Sequence, residues 1–196
     1  MSEIKIALRM TLVTLVLTGL AYPLAVTGLA RVLFPRASAG SLVRAEDGRV
    51  VGSELIGQPF TSPRYFQPRP SAAGNGYDAT ASSGSNLGPT SKKLRDRIVA
   101  DVERLQKENP QDAGPIPAEL VTASASGLDP HLSPEAALWQ VPRIAAARGR
   151  SADEIRAMVQ SHVKPRLLGF LGEPTVNVLL LNLELDRRFG RRIAAD

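Results

Sequence analysis

A mixed α/β domain tethered by one N-terminal transmembrane helix is the fold class the sequence predicts. Three observations carry it. Met10 to Ala30 runs for 21 residues without a formal charge, between Arg9 and Arg31. Farther on, apolar residues recur at helical spacing in segments opened by capping hydroxyls. Near the C-terminus, Thr175 to Leu185 is rich in Val and Leu, the composition expected of a well-buried strand. The chain divides on this reading into a short tail at 1–9, the membrane helix at 10–34 and one soluble domain at 35–196.

The uncharged run would span about 31 Å as a helix, close to the roughly 30 Å of a bilayer's hydrocarbon core. Pro23 has no N–H to give the carbonyl of Gly19, so a bend or local rewinding is expected there. A cleaved secretory leader is the competing reading, with Lys5 and Arg9 as its basic start and Ala37-Ser38-Ala39 as a small-x-small triplet. Leader cores are ordinarily about 7–15 residues, shorter than this run. Flanking charges leave the orientation open. Arg31, Arg36, Arg44 and Arg49 outnumber Lys5 and Arg9, which taken literally leans toward a cytoplasmic C-terminal domain.

The soluble part opens with a short extended segment, Val50 to Phe60, punctuated by Gly52 and Gly57. Thr61 to Pro89 loses all apolar period and fills with Pro, Gly, Ser and Asn, yet it holds Tyr65, Phe66 and Tyr77. An ordered, irregular surface loop is expected, since a plain linker has little use for aromatic rings. Ser91 to Glu108 reads as a helix, with Leu94, Ile98, Val102 and Leu105 on one face and Asn109-Pro110 as its stop. Gly114 to His131 is a second turn-rich loop. Ser133-Pro134-Glu135 opens another helix, which Pro142 should strain or break before Gly149 closes it. Ser151 with Glu154 forms a capping box for a further helix that turns Ile155, Met158 and Val159 inward and extends toward Val163.

Composition excludes several functions. There is no cysteine, hence no disulfide, thiolate nucleophile or Cys-type zinc site. The net charge of +5, from 24 basic and 19 acidic residues, is scattered and not interleaved with aromatics, so nucleic acid is not an expected partner. No Gly-rich loop precedes Lys-Ser/Thr, and G-x-G-x-x-G, G-x-S-x-G, H-E-x-x-H and calcium-loop patterns are all missing. His131 and His162 lie 31 residues apart, and Asp129 with His131 reads as a turn sooner than as a catalytic pair. No catalytic residue, metal site or cofactor site of its own is expected. The over-supplied groups are amides and hydroxyls in the two loops, suited to docking on a larger partner. Tyr65, Phe66 and Tyr77 are the aromatic contact candidates, taken as exposed rings, with Asn86, Ser126 and Asp129 as polar ones; if the rings instead pin the loop onto its own domain, the docking face falls around Ser124 to His131. A stand-alone, membrane-anchored envelope binding module or weak hydrolase is the alternative.

Several strings then bear a resemblance. Gly57-Gln58-Pro59-Phe60, Tyr65-Phe66-Gln67-Pro68-Arg69-Pro70-Ser71-Ala72, Ser83-Gly84-Ser85-Asn86-Leu87-Gly88-Pro89-Thr90 and Thr122-Ala123-Ser124-Ala125-Ser126-Gly127-Leu128-Asp129-Pro130-His131 are four of them. With Gln140-Val141-Pro142-Arg143 and Val176-Asn177-Val178, they run in order through nearly the whole chain. Together they resemble the C subunit of the bacterial potassium-transporting Kdp ATPase. In the final motif Leu180 stands where the family commonly has glutamate, and Glu184 where it commonly has alanine. The resemblance implies a single-pass inner-membrane subunit with its soluble domain on the periplasmic side. The implied partners are the channel-like KdpA, the P-type ATPase KdpB and the small membrane protein KdpF, besides the lipid bilayer. It also implies a non-catalytic role in ATP-driven potassium uptake, described in the family as that of a catalytic chaperone raising the pump's ATP affinity. ATP then enters through the partner ATPase, with Gln140 the candidate for any direct nucleotide contact.

Carbonate extraction of membranes checks the anchor: full-length protein is expected in the pellet. A soluble product beginning near Gly40 would instead identify a cleaved leader.

Overall fold

A computed structural model describes residues 2–45, 47–111 and 114–190. The chain forms two compact units, one ending at Ser53 and the other beginning at Glu54.

In the first unit, helix α1 (Ser2–Leu33) runs for 32 residues and is long and apolar enough to cross a membrane. At 1.5 Å per residue it measures about 48 Å, because residues 2–9 continue the helix on the N-terminal side of the uncharged run. Leu17–Ala21 is wound as a π-helix, and the Tyr22 N–H reaches back to the Leu17 carbonyl. Pro23, two residues on, supplies the reason. It cannot donate to Gly19, and the wider turn relieves its ring against the preceding carbonyls. A single turn, α2 (Pro35–Ser38), precedes an antiparallel pair, β1 (Leu42–Arg44) with β2 (Val50–Ser53).

The second unit is mixed α/β, as the sequence predicts. Helix α3 (Lys92–Glu108) is capped by the Ser91 hydroxyl, which accepts from Leu94 N–H, and only Leu105 of its apolar face is fully buried. Strand β3 (His131–Leu132) leads through the Ser133 cap into α4 (Pro134–Trp139). Gln140 joins α4 to α5 (Val141–Arg148), and Pro142 lies in the first turn of α5. The expected break thus falls where a missing N–H costs nothing. Gly149 ends α5 in the left-handed conformation at φ +62°. Helix α6 (Ala152–Ser161) begins with the complete Ser151/Glu154 capping box and stops before Val163, which belongs to β4 (Val163–Lys164).

Thr175 to Leu185 is not one strand. Strand β5 (Thr175–Asn177) is short, and α7 (Val178–Phe189) follows it at once. The Asn177 Oδ1 accepts from Leu180 N–H at 3.1 Å and so caps the helix, while Val178, Leu181 and Leu185 turn to the core. Its branched, apolar composition suits a strand, but the cap and this spacing decide for helix. Strand β5 pairs antiparallel with β3 on one side and β4 on the other, giving the order β3-β5-β4. The core that joins this small sheet to the helices draws Ile144 from α5, Ile155 and Met158 from α6, and Leu181 and Leu185 from α7, all at most 1% exposed.

Asn177 does two jobs, since its Nδ2 also donates to the Glu54 carbonyl at 2.8 Å. Asn177→Ala is expected to cost about 1–2 kcal/mol of stability, read as a lower urea midpoint with an unchanged slope. An unchanged midpoint would rule out the cap as a determinant of α7.

Candidate functional site

From Glu54 to Thr90 the chain has no helix or strand, yet Gly57, Ala73 and the run Phe66 to Pro68 are buried. Buried backbone groups need partners. Here they are side chains of the helices. The Asn182 amide on α7 takes Phe66 at both ends: Oδ1 accepts its N–H at 2.8 Å and Nδ2 donates to its carbonyl at 2.9 Å. The Gln140 amide, at the α4–α5 joint, takes Gln67 the same way, at 2.8 Å and 3.0 Å. Two consecutive residues therefore each pair with a side-chain amide as they would pair with a neighbouring strand.

Two buried arginines of α5 complete the clamp. Arg143 donates to the carbonyls of Pro63 at 2.6 Å and Tyr65 at 3.1 Å, and to Gln140 Oε1 at 2.8 Å. Burial pushes its guanidinium down to about 10, with the Glu108 charge opposing and the Arg104 charge adding to that effect. Arg148 donates from Nε to the Arg64 carbonyl at 2.8 Å and from Nη2 to Asp186 at 2.9 Å. The Tyr65 hydroxyl also donates to the Asp186 carboxylate, at 2.8–2.9 Å, and the Arg148 guanidinium lies 5.0 Å from the Tyr65 ring centre. Outward from the clamp, the Gln67 side chain links to Glu108 and Arg104 of α3 at 2.9 Å and 3.0 Å.

Beyond Gln67 the two irregular loops lock onto each other. The Ser71 hydroxyl donates to the Gly127 carbonyl at 2.6 Å and accepts the Tyr77 N–H at 2.7 Å. Gly127, at φ +67°, leaves no room for a side chain, because a Cβ would lie 2.6 Å from both Ala73 N and Ser83 O. Arg69 pairs with Asp129 at 3.1 Å, and the other Asp129 oxygen accepts the His131 N–H at 3.0 Å. Burial raises the Asp129 carboxyl, but these bonds from His131 and Arg69 outweigh it and hold it below the usual carboxylate range.

The structure sorts the sequence-predicted residues into two groups. Phe66 is wholly buried in the core, which corrects the expectation of an exposed ring. The reason is the clamp, which draws its backbone between helices and carries the side chain inside. Tyr65 and Tyr77 are half-buried, and the Tyr77 hydroxyl donates to the Arg69 carbonyl at 2.5 Å. Burial pushes that phenol up to about 12, against a lowering by Arg104. Gln140 is 1% exposed, and both ends of its amide are engaged inside the domain, so its role here is structural. Asn86, at φ +50°, and Ser126 are the outward-lying pair, with Asp129 partly exposed. Ser126 and Asp129 share with Arg69 and Leu55 a cleft of about 600 Å³. Among the described residues, no group of His, Asp and Glu is arranged to hold a metal ion.

Sequence reasoning missed Gln67, Asn182, Arg143, Arg148 and Asp186. Gln67 and Arg143 stand in the family strings, Asn182 interrupts an apolar run, and Arg143 and Arg148 lie five apart on a helix whose other residues are apolar.

The clamp is testable by truncation. Asn182→Ala and Gln140→Ala each strand a buried N–H and carbonyl and are expected to cost roughly 2–4 kcal/mol. Phe66→Ala is expected to cost about 3–5 kcal/mol. Urea denaturation of the full chain in detergent reads all three. Losses below about 0.5 kcal/mol for both amides would show that the loop is not held this way.

Comparison with known proteins follows the same residues. The sequence profile of the family described as KdpC, K+-transporting ATPase, c chain, matches residues 4–187. A potassium-transporting ATPase KdpC subunit from Myxococcus xanthus is 66% identical, covering 94% of this chain and 87% of its own. KdpC subunits of Rhodopseudomonas palustris (strain BisB18) and Koribacter versatilis (strain Ellin345) are 54% and 55% identical, over 95% and 90% of this chain and 98% and 90% of their own. A profile match across nearly the whole chain and identities of this size have one meaning: the chain belongs to the KdpC family, the c chains of K+-transporting ATPases.

Proposed function

We propose that this chain is a non-catalytic accessory subunit of an ATP-driven potassium uptake complex. It would assemble with the channel-like, P-type ATPase and small membrane subunits, and would support the pump by docking instead of by chemistry of its own. Family membership carries the reading. The amide-rich loops support it, because their polar groups are engaged in holding shape. On this proposal α1 sits in the bacterial inner membrane and the second unit faces the periplasm. Cytoplasmic ATP is then held by the partner ATPase, and any gain in its ATP affinity arises from assembly. The docking face is the exposed side of the interlocked loops, at Asn86 and Ser126 beside the Asp129 cleft, because Tyr65 and Phe66 serve the clamp.

Purification of the tagged full chain in mild detergent is expected to bring down the P-type ATPase and channel-like subunits. Ala125→Arg, an exposed change on the proposed face, is expected to reduce that recovery without altering the melting temperature. Calorimetry of the full chain with ATP is expected to show no saturable heat. Recovery of the chain alone, with substrate turnover of its own, would favour the hydrolase reading.

A further inference from the structure

The hairpin Leu167–Leu171 departs from two local rules at once. Its ends pair through both backbone bonds, Leu167 N–H to Leu171 O and Leu171 N–H to Leu167 O, each 2.9 Å. At the tip Leu168 and Gly169 both have positive φ, +54° and +82°, and the Phe170 N–H closes the turn on the Leu167 carbonyl. A turn of that hand ordinarily holds Asn, Asp or Gly in its first central position, and leucine there is strained. The tip is also apolar and in solvent: Leu167, Leu168, Phe170 and Leu171 are 69%, 76%, 68% and 48% exposed. A contiguous apolar knob marks an interaction site, unlike single surface leucines.

We propose that this tip enters the surface of a lipid bilayer, as a second and reversible membrane contact of the chain besides α1. Three features select lipid. The N–H groups of Leu167, Phe170 and Leu171 donate within the hairpin and that of Gly169 to the Arg166 carbonyl, so most of the hairpin's backbone donors, though not that of Leu168, are already satisfied for entry into an apolar phase. The stem is cationic: Lys164 and Arg166 are exposed, and Glu173 offsets only Arg166, at 2.6 Å. Apolar residues at the tip with a lysine at its base match the polarity gradient of an anionic lipid interface. Availability is the third. Helix α1 is long and apolar enough to cross a membrane, and a chain anchored by it keeps a bilayer present at high effective concentration.

The absence of cysteine makes the test clean. Full-length Phe170→Cys, carrying an environment-sensitive fluorophore, is placed in vesicles of phosphatidylcholine and phosphatidylglycerol. Its emission is expected to shift to the blue and to be quenched by nitroxide-bearing lipids. The same label on Ala81→Cys, in an exposed loop, is expected to report water. Adding Lys164→Gln is expected to lower the inserted-to-free ratio about fivefold in these vesicles, and to leave it unchanged in phosphatidylcholine alone. Equal quenching of both labels by aqueous iodide would overturn the proposal. So would shielding of the tip that arises only when the ATPase and channel-like subunits are co-reconstituted, since the tip would then be a protein contact.

Discussion

Two amides hold this domain's long loop in place. Asn182 and Gln140 each close a two-bond pair on one peptide residue, Phe66 and Gln67, deep between helices. A strand placed there would have satisfied these groups through its neighbours, but an irregular segment has none. Without the amides the segment would bury four backbone groups unpaired, at about 1–3 kcal/mol each. The buried Phe66 ring gains its apolar contacts only while that penalty is avoided. Loop conformation and helix packing are therefore one cooperative unit: displacing α7 or the α4–α5 joint removes the loop's hydrogen-bond partners.

The two buried arginines play unequal parts in it. Arg148 brings its counter-ion, Asp186, and the Tyr65 hydroxyl ties the same carboxylate to the loop. Its pairing follows the usual condition for a charge in the interior. Arg143 relies on two loop carbonyls and the Gln140 oxygen, and burial accordingly lowers its affinity for the proton. Those carbonyl bonds fix the direction of Pro63 to Tyr65, since turning these peptides away would leave a buried guanidinium short of acceptors. Gln140 serves both systems, because its oxygen accepts from the Gln67 N–H and from Arg143 together.

What the sequence made legible was local. Ser91, Ser133 and the Ser151/Glu154 box cap their helices because caps depend on a few adjacent residues. Pro142 divided α4 from α5 for the same reason. The membrane helix was legible from length and charge, and the register of family strings from Gly57 to Asn177 identified the family. The strand expectation at Thr175 to Leu185 failed because composition spoke for strand, whereas the cap at Asn177 and the spacing of Val178, Leu181 and Leu185 spoke for helix. Exposure of Phe66 failed for a different reason. Its partner lies 116 residues away in sequence, and no local pattern announces that an asparagine on a later helix will capture its peptide. The same distance hid Arg143, Arg148 and Asp186, whose roles exist only once the loop is laid across their helices.

A loop fixed in this way suits an accessory subunit. A flexible polar loop of such length would lose its ordering entropy on docking, whereas here that loss is offset during folding by groups of the same chain. On the proposed docking reading, a partner would meet the exposed groups at the rim of the loops, such as Asn86 and Ser126. Local preference and tertiary structure agree at the caps, and in the long loop the left-handed Tyr77, at φ +56°, is held by bonds from its N–H to Ser71 and from its hydroxyl to Arg69. Preference and structure part at Leu168, where an apolar side chain, 76% exposed, sits on a left-handed backbone. When the other levels of a fold are consistent, a departure of this kind is the place to look for a contact the isolated chain does not contain.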